Sequence, residues 1–202
     1  MKKKTWNIYA PIYNFVMKSD KKTYEEMYKR IPEVIKAKNV LEIATGPGLL
    51  AKNVAYAANK MIATDYSEGM IKEAKRGKCL DNLSFQVADA TNLPFQNQSF
   101  DVVIIANALH IIPNPEKALL EIDRVLKKNG ILIAPNFVNH KGGIGSRIWS
   151  KILQIAGISF EHQWSEVEYK SFLENNGWKV KNSKVLHARI TLIYVECVRK
   201  RD

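Results

Sequence analysis

Three acids and a glycine turn carry the chemistry that can be read in this chain. Glu42 lies in an apolar run, Val40-Leu41-Glu42-Ile43, and Gly46-Pro47-Gly48 turns the chain just after it. Asp65 closes a second apolar run nineteen residues past Gly46, and Asp89 closes a third. Gly46-Pro47-Gly48-Leu49-Leu50-Ala51 fits the G-x-G-x-x-G/A pattern, in which a strand turns into a helix around a nucleotide ligand. An acid about 20 residues beyond the first glycine can accept both hydroxyls of a ribose. A carboxylate at Asp89 can accept from an adenine amino group, while Ala90 offers a backbone N–H to the ring. Together these residues point to an adenosine-bearing ligand.

The surroundings of the turn separate the ligands of that kind. A pyrophosphate beside Glu42 would meet a like charge, whereas an ammonium and a sulfonium would meet an opposite one. A nicotinamide would call for a second lobe or a Tyr-x-x-x-Lys pair. The only such pair, Tyr56 and Lys60, stands at the end of the first helix after the turn, the wrong end of the sheet. The loop fits S-adenosyl-L-methionine better than a dinucleotide.

Positioning these groups takes alternating strands and helices. Residues 18–38 read as a helix with Tyr24, Met27, Tyr28, Ile31, Val34 and Ile35 on one stripe and a kink expected at Pro32. Strands follow at 40–43, 61–64, around Leu83, Phe85 and Val87, and at 102–106; helices are expected at 48–58 and, begun by Ser67, at 68–77. The unbroken apolar strand 102–106 implies a sheet covered on both faces. Asn114-Pro115 starts another helix, with Ala118, Leu119, Ile122, Val125 and Leu126 inward and Gly130 expected to end it. A strand at 131–137, a looser stretch at 140–165 with a short amphipathic helix, a helix at 166–175 and strands at 178–186 and 190–198 complete the chain. Only His187-Ala188-Arg189 separates the last two strands, so they must pair antiparallel. The expected fold is a Rossmann-like, doubly wound α/β sheet of seven strands, mostly parallel with one antiparallel strand near the C-terminus, and helices on both faces. Residues 1–38 form an arm and helix over the site, residues 39–202 the cofactor-binding domain, and the whole is one globular unit.

Composition fits this reading. At 46% hydrophobic and 25% charged, the 202 residues are ordinary for a globular domain. No apolar run approaches a membrane span, and the basic start lacks the apolar core of a signal peptide, so a cytoplasmic protein is expected. Cys79 and Cys197 are isolated and read as small hydrophobes rather than a disulfide or metal pair. The net charge of +11 comes mostly from dispersed lysines, which reads as a solvated surface ahead of a nucleic-acid face.

With these residues in place, the chain resembles the class I S-adenosylmethionine-dependent methyltransferases of the ubiquinone/menaquinone-biosynthesis type (methyltransferase type 11). Glu42-Ile43-Ala44-Thr45-Gly46-Pro47-Gly48 is similar to the family's E-x-G-x-G-x-G, and Asp65-Tyr66-Ser67 to its ribose acid. Asp89-Ala90-Thr91-Asn92-Leu93-Pro94-Phe95 resembles its adenine-side segment, and Phe100-Asp101-Val102-Val103 through Leu109-His110 its fourth-strand block. Arg124-Val125-Leu126-Lys127-Lys128-Asn129-Gly130 matches R-V-L-K-P-G-G with two departures. Ala44 replaces a glycine, which is tolerable if its φ stays negative, and Ile111 replaces a second histidine. The Asn/Asp-Pro-Pro-Tyr signature of amino-group nucleic-acid methylation is missing. The resemblance implies cofactor contacts from Glu42, Ala44, Thr45, Gly46, Gly48, Asp65, Tyr66, Met70, Asp89, Ala90 and Asn107. Gly48 is expected to let the backbone approach the ligand.

Methyl transfer from a sulfonium is an in-line displacement with an activated donor, leaving S-adenosyl-L-homocysteine and calling for no metal. His110, after the fourth strand, is the candidate general base, with a pKa expected near neutrality; the alternative is a packed histidine bonded to a backbone carbonyl. The acceptor pocket should be roofed by residues 1–18 and 137–165. Tyr9 and Tyr13 lie in the first, in a stretch similar to one in lipid- and quinone-modifying members. Trp149 lies in the second, on an apolar stripe that reads first as core, then as a lid or a peripheral membrane contact. The expected acceptor is a small or amphipathic molecule (a quinone, lipid or other metabolite). An RNA or protein methyltransferase using the basic surface is the rival, followed by an NAD(P)-dependent oxidoreductase and a catalytically idle adenosine-binding module.

Overall fold

The apolar runs become the central strands of one mixed sheet. The computed structural model describes residues 21–138, 161–186 and 191–200. In chain order the elements are α1 (Lys21–Ile35), β1 (Asn39–Ile43), α2 (Leu49–Val54), β2 (Lys60–Asp65), α3 (Glu68–Ala74), β3 (Leu83–Val87), β4 (Phe100–Ile105), α4 (Pro115–Val125), β5 (Leu126–Ile133), β6 (Asn136–Phe137), α5 (Glu166–Asn175), β7 (Trp178–Leu186) and β8 (Leu192–Arg199). Short 3-10 turns occupy Ala55–Ala57 and Leu109–Ile111.

The strands run in the order β3-β2-β1-β4-β5-β8, with β7 on the outer side of β8. All pairs from β3 to β5 are parallel, and β8 is antiparallel to both β5 and β7. β6 is counted separately but continues the line of β5. Leu132 faces Cys197, Ile133 faces Glu196, and beyond the Ala134-Pro135 break Asn136 faces Ile193 in the same register. The sheet is therefore seven strands wide with one antiparallel strand, as the sequence led us to expect.

Alternation along the central strands feeds two cores. Val40, Val102 and Ile104 point to the face covered by α1, α2 and α3, where Met27, Ile31, Leu50, Val54 and Ile71 pack. Leu41, Ile43, Val103 and Ile105 point to the other face, against Leu119 and Ile122 of α4 and Tyr169 and Leu173 of α5. Each such fully buried aliphatic side chain is worth about 1.5–3 kcal/mol relative to exposure. Helix α1 is also fastened electrostatically: Arg30 donates from Nε and Nη2 to both Glu196 oxygens, at 2.6 and 2.9 Å, and Tyr194 OH donates to Glu196 Oε1 at 2.8 Å.

Helix starts follow the sequence more closely than helix ends. Ser67 Oγ accepts from Met70 N–H, Asn114 Oδ1 from Lys117 N–H, and Ser165 forms a capping box with Glu168. Gly130, however, does not end α4. The helix stops at Val125, and Gly130 lies within β5, where an added Cβ would come 2.5 Å from Leu126 Cγ. The chain leaves the helix early because Leu126 already pairs with Phe100 of β4. Two terminal carbonyls of the helix, those of Arg124 and Val125, accept from Gln98 and Ser99 N–H.

Candidate functional site

The parallel strands β1 to β4 end along one edge, and a cleft of about 350 Å³ opens there. Ile43, Ala44 and Gly46 come from the β1 turn, Asp65, Tyr66 and Met70 from the end of β2 and the start of α3. Ala88, Asp89, Ala90 and Thr91 follow β3, and Ala106, Asn107, Ala108 and Ile111 to Asn114 follow β4. Eight of the residues expected to meet a cofactor thus share one wall system: Ala44, Gly46, Asp65, Tyr66, Met70, Asp89, Ala90 and Asn107. Its position at the C-terminal edge of a doubly wound sheet is the usual place for a ligand, and its volume lies within the usual range.

The loop geometry corrects one expectation. Ala44 adopts φ +56°, a left-handed conformation, rather than the negative φ expected of an alanine replacing glycine. Such a residue costs on the order of 1–3 kcal/mol unless the surroundings impose it. Here Thr45 N–H donates to Thr64 O at 2.8 Å and Gly46 N–H to Asp65 Oδ2 at 2.8 Å, which pins the turn to β2. The other carboxylate oxygen, Asp65 Oδ1, accepts from Ser67 N–H at 2.8 Å. Burial raises the Asp65 pKa, opposed by these two bonds.

Gly48 is not in the cleft wall. Its φ is +77°, and an added Cβ would lie 2.8 Å from Phe85 Cε1 and 3.1 Å from Ala74 Cβ. Close packing of the turn on β3 and α3 by itself requires the glycine.

Glu42 lies behind the cleft, 2% exposed, on the sheet face that α1 covers. Burial pushes its pKa up to about 8, with Asp65 adding to the effect. Thr45 and the Ala51 N–H lie close enough to oppose the rise, but Oε2 and Thr45 Oγ1 are buried and neither has a hydrogen-bond partner of good geometry. Tyr28 of α1 lies within electrostatic reach and has its own pKa raised by burial and by Glu42. Burial therefore favours the protonated carboxyl and works against the negative charge assigned to it from sequence. A cation beside it would restore the charge.

Asp89 is exposed, and Oδ1 accepts both the N–H and the hydroxyl of Thr91 at 2.8 Å. This is a turn motif of the ordinary Asx kind that also presents Asp89 and Ala90 to the cleft. Asn107 adopts φ +52°, and its N–H donates to Pro135 O at 2.8 Å.

His110 differs from the sequence expectation. It is 4% exposed in the 3-10 turn after β4, and it does not line the cleft. Nδ1 lies 2.8 Å from Asn136 Oδ1. Asn136 Nδ2 donates to Phe137 O, which orients the amide oxygen toward the ring and makes Nδ1 the protonated nitrogen. Burial pushes the pKa down to about 4, not near neutrality, with His162 adding to the effect. Sequence reading missed Asn136, whose polar side chain buried inside an apolar strand is the only hint.

Tyr9, Tyr13 and Trp149 lie outside the described residues, as do His140 and His187. His162 stacks on Trp164 with ring centroids 5.1 Å apart, and its backbone N–H donates to His110 O. Among the described residues no helix is long and apolar enough to cross a membrane.

Comparison with known proteins agrees with this geometry. The methyltransferase-domain family model matches residues 41–134, which runs from the middle of β1 to the end of β5 and includes all four cleft walls. The chain is 34% identical over 122 residues to a demethylmenaquinone methyltransferase of Renibacterium salmoninarum, covering 60% of this chain and 51% of that protein. It is 35% identical over 130 residues to the ubiquinone/menaquinone biosynthesis C-methyltransferase UbiE of Rickettsia massiliae, covering 59% and 51%. The match thus spans about half the length of these relatives. Among solved structures, a chain from the complex between the Haloferax volcanii Trm112 methyltransferase activator and a methyltransferase superposes with a TM-score of 0.81. It covers 97% of this chain and 98% of that one at 20% identity, a likeness of fold. Over residues 41–134 the chain is thus similar to the methyltransferase-domain family, and over about half of their length to the ubiquinone/menaquinone-biosynthesis enzymes.

Proposed function

We propose that this protein transfers the methyl group of S-adenosyl-L-methionine to a small or amphipathic acceptor, leaving S-adenosyl-L-homocysteine. The observation that carries the reading is Glu42 Oε2, a buried carboxyl oxygen without a partner behind the cleft. A cationic ligand favours the ionised carboxyl and can pair with it, whereas a pyrophosphate beside it would push its pKa higher still.

The residues present fit such a cofactor. Asp65 keeps lone pairs beyond those taken by Gly46 and Ser67, enough to accept ribose hydroxyls. Asp89 and Ala90 would face the adenine, Ala44, Thr45 and Gly46 the amino-acid end, and Tyr66, Met70 and Asn107 the flanks. Glu42 would balance the positive charge. When bound, the cofactor supplies a methyl group already activated as a sulfonium. The chain's part is to hold donor and acceptor in line and to keep water out. The division into an N-terminal arm and helix, 1–38, and a domain, 39–202, belongs to the same reading: α1 brings Tyr28 within reach of Glu42.

An apolar acceptor surface is supported by Ile111, Ile112 and Pro113 on the β4 side of the cleft, and by the quinone-related names of the relatives. The test is incubation with methyl-labelled S-adenosyl-L-methionine and separate organic-soluble, aqueous, protein and RNA fractions of a cell extract. Label in an organic-soluble product is expected. Label confined to RNA or protein would favour use of the basic surface instead.

A further inference from the structure

The segment that follows β3 reaches the cleft through Asp89, Ala90 and Thr91 and then runs to the start of β4 without regular structure. Such a stretch can present a precise wall only if something holds it. The hold comes from one residue pair on the outer helix, Glu121 and Arg124 of α4.

All five guanidinium N–H groups of Arg124 are used. Nε donates to Glu121 Oε1 at 2.8 Å, and Nη2 to Glu121 Oε2 at 2.7 Å. Nη2 also donates to Leu93 O at 2.9 Å, and Nη1 to Phe95 O at 2.7 Å and Asn97 Oδ1 at 2.9 Å. Glu121 Oε2 in turn accepts from Leu93 N–H at 2.7 Å. The peptide groups on both sides of Leu93 are therefore gripped by the same ion pair. Four residues upstream, the turn from Asp89 to Asn92 closes through Asn92 N–H to Asp89 O at 3.0 Å, so the grip passes directly to the cleft wall. Leu93 itself is buried against the α4 side of the core. A planar fork satisfied at every donor fixes orientation as well as distance, which a lysine ammonium cannot do.

We infer that Arg124, held by Glu121, is a positioning residue for the cofactor cleft, setting the wall of Asp89, Ala90 and Thr91 from outside the site. The inference rests on the proposed cofactor reading, because that wall is the one assigned to adenine. Neither residue lines the cleft.

The test is calorimetric titration of S-adenosyl-L-homocysteine into wild type, Arg124→Ala and Arg124→Lys, with amide hydrogen exchange over residues 89–97. Both variants should raise Kd tenfold or more and speed exchange in that segment. Arg124→Lys should fail to rescue, because charge without the fork leaves most of the acceptors unmet. In turnover, the cofactor KM should rise with kcat unchanged. Arg30→Ala, which breaks the remote α1–β8 ion pair, serves as the control: it should lower the melting temperature and leave Kd alone. If Arg124→Ala does not fold, Glu121→Gln carries the same expectation at several-fold. A folded Arg124→Ala or Glu121→Gln protein with Kd within twofold of wild type overturns the inference, as does full rescue by Arg124→Lys. Failure of wild type to bind S-adenosyl-L-homocysteine would instead strike the cofactor reading.

Discussion

Gly46 N–H donates to Asp65 Oδ2 at 2.8 Å, joining the turn after β1 to the end of β2 through the acid assigned to the ribose. One carboxylate thus shapes the loop and faces the cleft.

Asp65→Ala is accordingly expected to cost twice. Cofactor binding should weaken by about 2–3 kcal/mol, because two hydroxyls lose a charged acceptor. The turn should also loosen, with faster amide exchange at Gly46 and Ser67. Asp65→Asn keeps an acceptor oxygen and should fall between. Calorimetry and exchange on the same samples check both effects, and unchanged affinity in folded Asp65→Ala protein would move the ribose site elsewhere.

Glu42 makes the fold sensitive to pH. Its pKa is pushed from 4.5 to about 8 by burial, so the folded chain holds a proton that the unfolded chain has released. Stability should therefore fall as pH rises across about 4.5 to 8, by up to about 1.4 kcal/mol per pH unit from this group. Asp65, also raised by burial, acts in the same direction. Chemical denaturation of Glu42→Gln from pH 5 to 8.5 should show a flatter profile and higher stability at the alkaline end. A cationic cofactor displaces that proton, so wild-type affinity for S-adenosyl-L-methionine should rise roughly tenfold or more between pH 6 and 7.5. The rise should disappear in Glu42→Gln.

His110 behaves as a buried, neutral pivot at the end of β4. Its depressed pKa of about 4 means that stability is lost as pH falls below about 6.5 toward 4, where the unfolded imidazole takes up a proton first. His110→Ala strands Asn136 Oδ1 and opens a cavity, at an expected cost of about 2–4 kcal/mol. A base with so low a pKa is poorly matched to neutral pH. Turnover per folded molecule should stay within a few-fold of wild type once an acceptor is known. A loss of a hundredfold or more would return His110 to the catalytic role suggested by its sequence position.

Gly48 should report packing rather than binding. Gly48→Ala forces a Cβ against Phe85 at a φ of +77° and should destabilise by about 1–3 kcal/mol or more. Phe85→Leu on the same chain should recover part of that loss. Affinity for S-adenosyl-L-homocysteine in the folded fraction should be nearly unchanged, as thermal melts and titrations can show.

These contrasts mark where sequence reading works. Short-range signals carried over: the apolar runs became strands, and Ser67 and Asn114 became caps because their partners lie three residues away. Asp65 and Gly46 meet at the cleft, as their spacing implied, because the strand–turn–helix–strand unit has a nearly constant length. What escaped depends on distant partners. The left-handed φ of Ala44 is set by bonds to β2, and the end of α4 by Leu126 joining β4. The pKa of His110 reflects burial beside Asn136, 26 residues on. Arg124 could be read only as one letter of a motif, since three of its five bonds gain meaning once residues 93–97 fold beside α4.

The most direct measurement is calorimetric titration of the wild-type protein with S-adenosyl-L-methionine, S-adenosyl-L-homocysteine, NADH and NADPH. The cleft formed by Ala44, Asp65, Asp89 and their neighbours, with the unpartnered Glu42 oxygen behind it, predicts micromolar-range binding of the first two and no saturable binding of the nicotinamides. Tight NADH binding with no response to either S-adenosyl ligand would contradict the account at its centre.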